Sequence, residues 1–84
     1  MSQPKMYSLP GGCSACGSTL RAFEYHGVEP EIVDATLPEN KAFLESLNML
    51  QMPAVFWEGE QWTGFRPDKI KAIASRLSAE KERQ

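Results

Sequence analysis

The sequence predicts an α/β domain with the element order β-α-β-α-β-β-α, in which three helices flank a four-stranded mixed sheet. Short apolar strands alternate with segments of helical periodicity. A helical crossover joins the first two strands, which makes them parallel with a right-handed connection. A tight turn at Glu58-Gly59-Glu60 predicts an antiparallel hairpin near the end. The 84 residues form a single domain, 1–84, with a core over about 5–77.

The first βα unit begins with a strand over 5–9. Pro10-Gly11-Gly12 breaks this strand, and its glycines let the chain turn sharply and keep bulky side chains away from Cys13. A helix follows from Cys13 or Ser14 and should stop at Gly27, the natural C′ residue. One face of this helix carries Cys16, Leu20 and Phe23.

The second βα unit consists of a strand over 31–34 and a helix with Pro38 in its first turn. Its apolar periodicity predicts that four side chains face the core, namely Phe43, Leu44, Leu47 and Leu50.

The last part of the chain is a hairpin and a helix. Pro53 precedes a strand over 54–57 that is expected to be buried on both faces, and a strand over 61–63 pairs back with it. The final helix begins at Pro67 and Asp68. The polar tail over 79–84 is expected to fray. The apolar stripe of this helix is Ile70, Ile73, Ala74 and Leu77.

Composition and charge exclude several functions. A net charge of -2 gives no field that would capture nucleic acid, so we expect no polyanionic partner. No apolar run approaches the roughly 18 residues that span a bilayer, and the N-terminus has no apolar signal region. We therefore expect a cytoplasmic monomer without membrane contact.

Cys13 and Cys16, the only two cysteines, stand three residues apart at the start of a helix. Residues i and i+3 of a helix lie roughly 5–6 Å apart, within the Cα separation of about 4.4–6.8 Å that a disulfide needs. In a reducing compartment such a pair indicates redox chemistry. Cys13 lies at the exposed helix end, where free N–H groups favour a thiolate, so it is the expected nucleophile and Cys16 the resolving thiol.

Two other classes of protein remain open. A zinc site takes four ligands, and this chain offers two cysteines and the distant His26, so only a dimer that shares its cysteines would bind zinc. A non-catalytic binding module is the second alternative, against which the retained cysteine pair argues. We expect no metal.

The element order, with CxxC opening the first helix and Met52-Pro53 opening the third strand, looks like the thioredoxin fold, and its short form resembles glutaredoxins. One segment is similar to the Trp-Ser-Gly-Phe-Arg-Pro-Asp signature of NrdH-type redoxins: Trp62-Thr63-Gly64-Phe65-Arg66-Pro67-Asp68. It differs from that signature by one Ser-to-Thr change. The resemblance covers about residues 5–77.

This resemblance implies a small electron carrier with no bound cofactor, whose redox group is the Cys13–Cys16 disulfide. Its electrons would come ultimately from NADPH through a flavoprotein, thioredoxin reductase. They would pass to a protein disulfide, most characteristically in the large subunit of a class Ib ribonucleotide reductase. A glutathione-dependent glutaredoxin is the alternative within the redox class.

The resemblance also implies binding residues. Pro53 would follow a cis bond and leave the backbone of Met52 free to pair with an extended substrate strand. The alternative, more frequent when only the sequence is considered, is a trans proline that merely starts the strand. The segment Trp62–Asp68 would fill the place where glutaredoxins hold glutathione and offer a surface to partner proteins. It is equally consistent with a structural corner, in which Trp62 and Phe65 are core, Gly64 makes the bend, and Arg66 pairs with Asp68 beside Pro67.

Two features depart from the family pattern. Pro10-Gly11-Gly12 is one residue longer than the usual lead-in to the first cysteine. Many relatives carry a basic residue shortly before the first cysteine, where this chain has Leu9. We therefore expect Cys13 to rely on backbone N–H groups alone.

Overall fold

The computed structural model describes residues 3–11 and 13–82, with side chains as far as Ala79. Its strands and helices follow the predicted order. They are β1 (Lys5–Ser8), α1 (Ser14–Tyr25), β2 (Glu31–Asp34), α2 (Pro38–Ser46), β3 (Ala54–Trp57), β4 (Glu60–Thr63) and α3 (Pro67–Glu82).

The sheet has the strand order β2-β1-β3-β4. β1 pairs with β2 in parallel, and it pairs with β3 in the antiparallel sense, so the predicted mixed sheet is confirmed. β3 and β4 form the predicted hairpin. Its two-residue loop has positive φ at Glu58 and Gly59, which is the backbone of a type I′ turn.

Gly27 is the C′ residue after α1, as the sequence predicts, and its φ is 71°. The Gly27 N–H donates to the carbonyl of Glu24, and the Val28 N–H donates to that of Phe23. This pair of hydrogen bonds is the Schellman motif, in which the residues at its two ends also pack together. Val28 and Phe23 both belong to the core, so the cap fixes where the chain leaves α1.

α2 differs from its prediction because it is shorter. Only Leu44 is buried, whereas Phe43, Leu47 and Leu50 are 43%, 40% and 72% exposed, so their predicted placement in the core was wrong. The helix ends at Ser46, and Asn48 takes a φ of 58°. Helical periodicity therefore does not apply to Leu47 and Leu50.

The same region contains a second Schellman motif, with Asn48 in the place of glycine. Asn48 N–H donates to Glu45, and Met49 N–H donates to Leu44. The turn sends Met49 back into the core beside Leu44. Phe43 remains at the edge of that cluster, with its ring 5.7 Å from Phe56.

Two apolar clusters cover the two faces of the sheet. The first joins α1 and α3 to the sheet and contains Met6, Phe23, Val28, Val55, Trp57, Trp62, Ile70 and Ile73. The second lies under α2 and contains Tyr7, Ala35, Leu44, Met49 and Ala54. Neighbours in sequence such as Ala54 and Val55 enter opposite clusters, so β3 is buried on both faces as predicted.

α3 continues to Glu82, beyond Ala79 where fraying was expected, and Arg83 and Gln84 lie outside the described residues. Arg76 attaches this helix to the hairpin. Its guanidinium lies 4.5 Å from the ring centre of Trp57 and 3.1 Å from a carboxylate oxygen of Glu60. Within residues 3–11 and 13–82, none of the helices has the length and apolarity needed to cross a bilayer.

Candidate active site

Cys13 is the N-cap residue of α1. Its backbone is extended, with φ −116° and ψ 106°, and its Sγ accepts the N–H of Cys16 at 3.1 Å. Its carbonyl accepts the N–H of Gly17 at 3.1 Å. The first turn of α1 contains no acidic residue, so nothing there offsets the positive end of the helix dipole. A hydrogen bond to the sulfur and this dipole both favour the thiolate over the thiol.

Cys16 lies on the inner side of the same turn. It is only 7% exposed, whereas Cys13 is partly exposed. The two form a disulfide with a Cα–Cα distance of 5.1 Å, within the separation expected from their spacing. A substrate sulfur therefore has access to Cys13, while Cys16 is placed to attack Cys13 from the protein side.

Met52 and Pro53 stand beside the cysteines. The Met52–Pro53 peptide bond is cis, as the resemblance implied, and Pro53 is fully buried. The carbonyl oxygen of Met52 lies 3.7 Å from Sγ of Cys13. In the reduced protein, a Cys13 thiol would donate to this oxygen, which favours the protonated form. The Met52 carbonyl therefore favours the Cys13 thiol, whereas the Cys16 N–H favours the Cys13 thiolate.

The segment Trp62–Asp68 is tied to Pro53 through the backbone. Gly64, with a φ of 81°, donates its N–H to the Pro53 carbonyl at 2.9 Å. Trp62 is buried, and its indole Nε1 has no hydrogen-bond partner among the described residues, so its role is apolar packing. Phe65 is 44% exposed, which contradicts its core position in the structural-corner alternative and leaves its ring accessible at the surface. Thr63 is partly exposed on the strand that leads to Gly64.

Arg66 and Asp68 form the expected ion pair, at the start of α3. Nε and Nη2 of Arg66 donate to the two carboxylate oxygens of Asp68 at 3.2 and 3.0 Å. The side-chain hydrogen bonds between them hold the pKa of Asp68 below its usual value and the pKa of Arg66 above its own. Arg66 also accepts the first N–H bonds of α3 at its carbonyl, just before Pro67. Both side chains are solvent-exposed.

A groove of about 320 Å³ opens beside Met52, and Met52 is the one residue of its lining that was predicted as a binding residue. The apolar part of the lining includes Leu9 and Leu50, both of which are exposed. No sequence signal marked this groove, because it depends on the early end of α2. Its lining residues are Leu9, Ala35, Thr36, Lys41, Leu44, Glu45, Met49, Leu50 and Met52.

The remaining predicted site residue, Gly12, lies outside the described residues. Elsewhere in the part of the chain that the structure describes, no three His, Cys, Asp or Glu side chains come together as a candidate metal site. His26 caps the far end of α1, away from the cysteines. The structure thus brings Cys13, Met52 and Pro53 together, with Gly64 bonded to Pro53 behind them.

Comparisons with known proteins agree with this geometry. The chain is 37% identical to the glutaredoxin-like protein NrdH of Salmonella typhimurium over 62 residues, 73% of this chain and 76% of that protein. The NrdH protein of Escherichia coli K12 is 34% identical over the same shares of both chains. No family model matches the chain.

Two solved structures are also similar. NrdH-redoxin from Escherichia coli has a TM-score of 0.81 at 30% identity, covering 86% of this chain and 95% of that one. A glutaredoxin from Archaeoglobus fulgidus has a TM-score of 0.66 at 24% identity, covering 86% and 85% of the two chains, and this likeness concerns the fold alone.

A thioredoxin fold with a reversible disulfide at the first helix end defines a thiol–disulfide oxidoreductase. Within this class the similarity in sequence and structure is to one group of redoxins. The chain belongs to the NrdH family of glutaredoxin-like proteins.

Proposed function

We propose that this protein takes electrons from thioredoxin reductase and delivers them to a protein disulfide, in particular that of the large subunit of a class Ib ribonucleotide reductase. The observation that carries the proposal is the Cys13 sulfur at the N-cap of α1, 3.7 Å from the Met52 carbonyl. Membership of the NrdH family supports the choice of partners, since the NrdH-redoxin of Escherichia coli has a thioredoxin-like activity profile.

The reaction has two exchange steps. The Cys13 thiolate attacks one sulfur of the substrate disulfide, so that a mixed disulfide forms and the other substrate sulfur leaves as a thiolate and takes a proton. Cys16, after losing its proton, attacks Sγ of Cys13. This step closes the Cys13–Cys16 disulfide and releases the second substrate thiol. The substrate has gained two electrons and two protons. The redoxin has lost two electrons, the proton of Cys16 and the proton that Cys13 released to solvent when its thiolate formed.

The cycle is completed by a flavoprotein. Thioredoxin reductase returns two electrons from NADPH to the Cys13–Cys16 disulfide, and NADPH becomes NADP⁺. The redoxin itself needs no bound cofactor for this exchange, because the disulfide is its redox group. We place this cycle in a reducing compartment, the cytoplasm, with the protein acting as a monomer.

The helix end affects the direction of exchange more than its speed. A thiol pKa lowered from about 8.5 to about 7 raises the thiolate fraction at neutral pH about 15-fold. The thiolate of lower pKa is also a weaker nucleophile, and with a Brønsted coefficient of about 0.45 its rate constant of attack falls about fivefold. The net gain in the rate of attack is therefore about threefold. A stabilised thiolate is also the better leaving group, so the same interaction favours the reduced dithiol.

Glutathione is the competing electron donor, and two coupled assays separate the donors. One contains NADPH, thioredoxin reductase and a disulfide substrate, and the other contains NADPH, glutathione and glutathione reductase. We expect NADPH oxidation that depends on the redoxin in the first assay and only background in the second. A Cys13→Ser variant is the control in both. Turnover with glutathione alone would identify a glutaredoxin instead.

A further inference from the structure

Arg21 folds back along α1 toward the cysteines. Its Nη2 lies 3.4 Å from the hydroxyl oxygen of Ser18, and its Nη1 lies 3.4 Å from the place that a Cβ on Gly17 would occupy. This is the direction that helical side chains favour, back over the preceding turn. The guanidinium therefore lies at the level of Gly17, the residue that follows Cys16.

Cys13, Gly17 and Arg21 form one row along α1, because residues four apart share a helix face. Cys13 begins the row, and the N–H of Gly17 donates to its carbonyl. Gly17 has no side chain, so the row itself places no side chain between Cys13 and Arg21. A chain joined to Cys13 through a disulfide is attached at the first residue of this row.

The charge of Arg21 is not used within the part of the chain that the structure describes. The ion pairs there join Arg66 to Asp68, and Lys69 and Arg76 to Glu60. On α1 itself Glu24 follows Arg21 by three residues, but the guanidinium points the other way, toward Ser18. The exposed guanidinium and the positive end of the α1 dipole thus act together on the same side of Cys13.

We propose that Arg21 is a specificity-determining residue, which binds a carboxylate of the substrate protein close to the disulfide that Cys13 attacks. This inference rests on the thiol–disulfide exchange described above and adds the class of substrate: disulfides flanked by Asp or Glu.

The expected preference for acidic substrates is modest, because Arg21 is exposed to solvent. Exposed ion pairs contribute about 0.2–1 kcal/mol, so one such contact should change a rate constant by up to about fivefold. Added salt should remove most of this preference, because the screening length falls to about 3 Å at about 1 M.

The test uses two disulfide-bonded peptides that are identical except for Glu or Gln on both sides of the attacked cysteine. The measured quantity is the second-order rate constant of peptide reduction by the pre-reduced protein, without any reductase. For each protein, the rate constant with the Glu peptide is divided by the rate constant with the Gln peptide. The ratio for the wild type is then divided by the ratio for the Arg21→Gln variant. This quotient cancels the intrinsic reactivity of the peptides.

We expect a quotient of about two to five at low salt that falls toward one at high salt. Arg21→Lys should retain part of the preference. Lys71→Gln removes an exposed positive charge from α3 and should give the wild-type ratio. A quotient of one at low salt overturns the proposal. A wild type that reduces neither peptide would instead overturn the exchange at Cys13 on which the proposal rests.

Discussion

Cys13 combines a structural and a chemical task, because the sulfur that caps α1 is also the one that a substrate reaches. The cap is the 3.1 Å contact with the Cys16 N–H, and this contact is strongest when the sulfur carries a negative charge. Cys16 makes up the other half of the pair and is nearly inaccessible. The two cysteines should therefore differ in reactivity.

Alkylation measures this difference. When the reduced protein is treated with limiting iodoacetamide at neutral pH, we expect Cys13 to be modified well before Cys16. The rate at Cys13 should fall on acidification, because the thiolate is the form that reacts. In the urea-unfolded protein the two should react at similar rates. Faster modification of Cys16 in the folded protein would contradict the assignment.

Asp68 provides a pH-dependent contribution to stability. Its pKa is lower in the folded protein because Arg66 donates hydrogen bonds to the carboxylate. A lowered folded pKa gives stability that is present above the unfolded pKa of about 3.9 and is lost as the pH falls through the folded value. The difference in free energy of unfolding between wild type and Asp68→Asn should therefore shrink below about pH 4.

Denaturation with urea at a series of pH values tests this expectation. Asp34 also has a lowered pKa, through hydrogen bonds from Thr36. Its pH-dependent contribution to the free energy of unfolding is the same in both proteins. The comparison with Asp68→Asn therefore isolates Asp68. A difference that stays constant from neutral to acid pH would show that the ion pair does not act through this carboxylate.

At the scale of elements, α1 contains two glycines for which the same substitution should have opposite effects. Gly17 lies inside the helix, where Ala is favoured by about 0.5–1 kcal/mol. A Cβ there would approach only the flexible end of Arg21, so Gly17→Ala should stabilise the protein. Gly27 has a φ of 71°, so Gly27→Ala should cost about 1–2 kcal/mol although its Cβ has open space.

Urea denaturation of the two variants checks this pair, and each serves as the control for the other. Equal signs for the two changes would mean that the backbone of α1 differs from the one described here.

The two helix caps also show how far sequence reasoning reached. Gly27 was identified as the end of α1 because glycine is the usual C′ residue. The equivalent cap of α2 is Asn48, which lies among Leu47, Met49 and Leu50. The apolar pattern continues across it, so periodicity predicted a longer helix and two additional core residues. Asn48 was the available signal for the end of α2, because asparagine adopts the left-handed conformation more readily than most residues.

For the whole molecule, the parallel pairing of β1 with β2 followed from the crossover, and the hairpin followed from the Glu58-Gly59 turn. The antiparallel pairing of β1 with β3, which joins these two parts into one sheet, was not predicted from the strand pattern. The cysteine pair was located from its spacing alone. The approach of Met52 to Cys13 rested on resemblance, since two segments 39 residues apart in sequence meet only through the pairing of β1 with β3. The groove beside Met52 was not predictable, because it depends on the early end of α2 at Ser46.

These features of the whole molecule support a single central claim, which is that Cys13 attacks a substrate disulfide and Cys16 then releases the product. The most direct measurement is the capture of the intermediate. A reduced Cys16→Ser variant is incubated with a protein disulfide substrate, and the product is analysed by non-reducing gel and peptide mapping. We expect a stable mixed disulfide joined to Cys13, and no turnover by Cys13→Ser. Failure of Cys16→Ser to capture a complex, or undiminished turnover by Cys13→Ser, would contradict the claim.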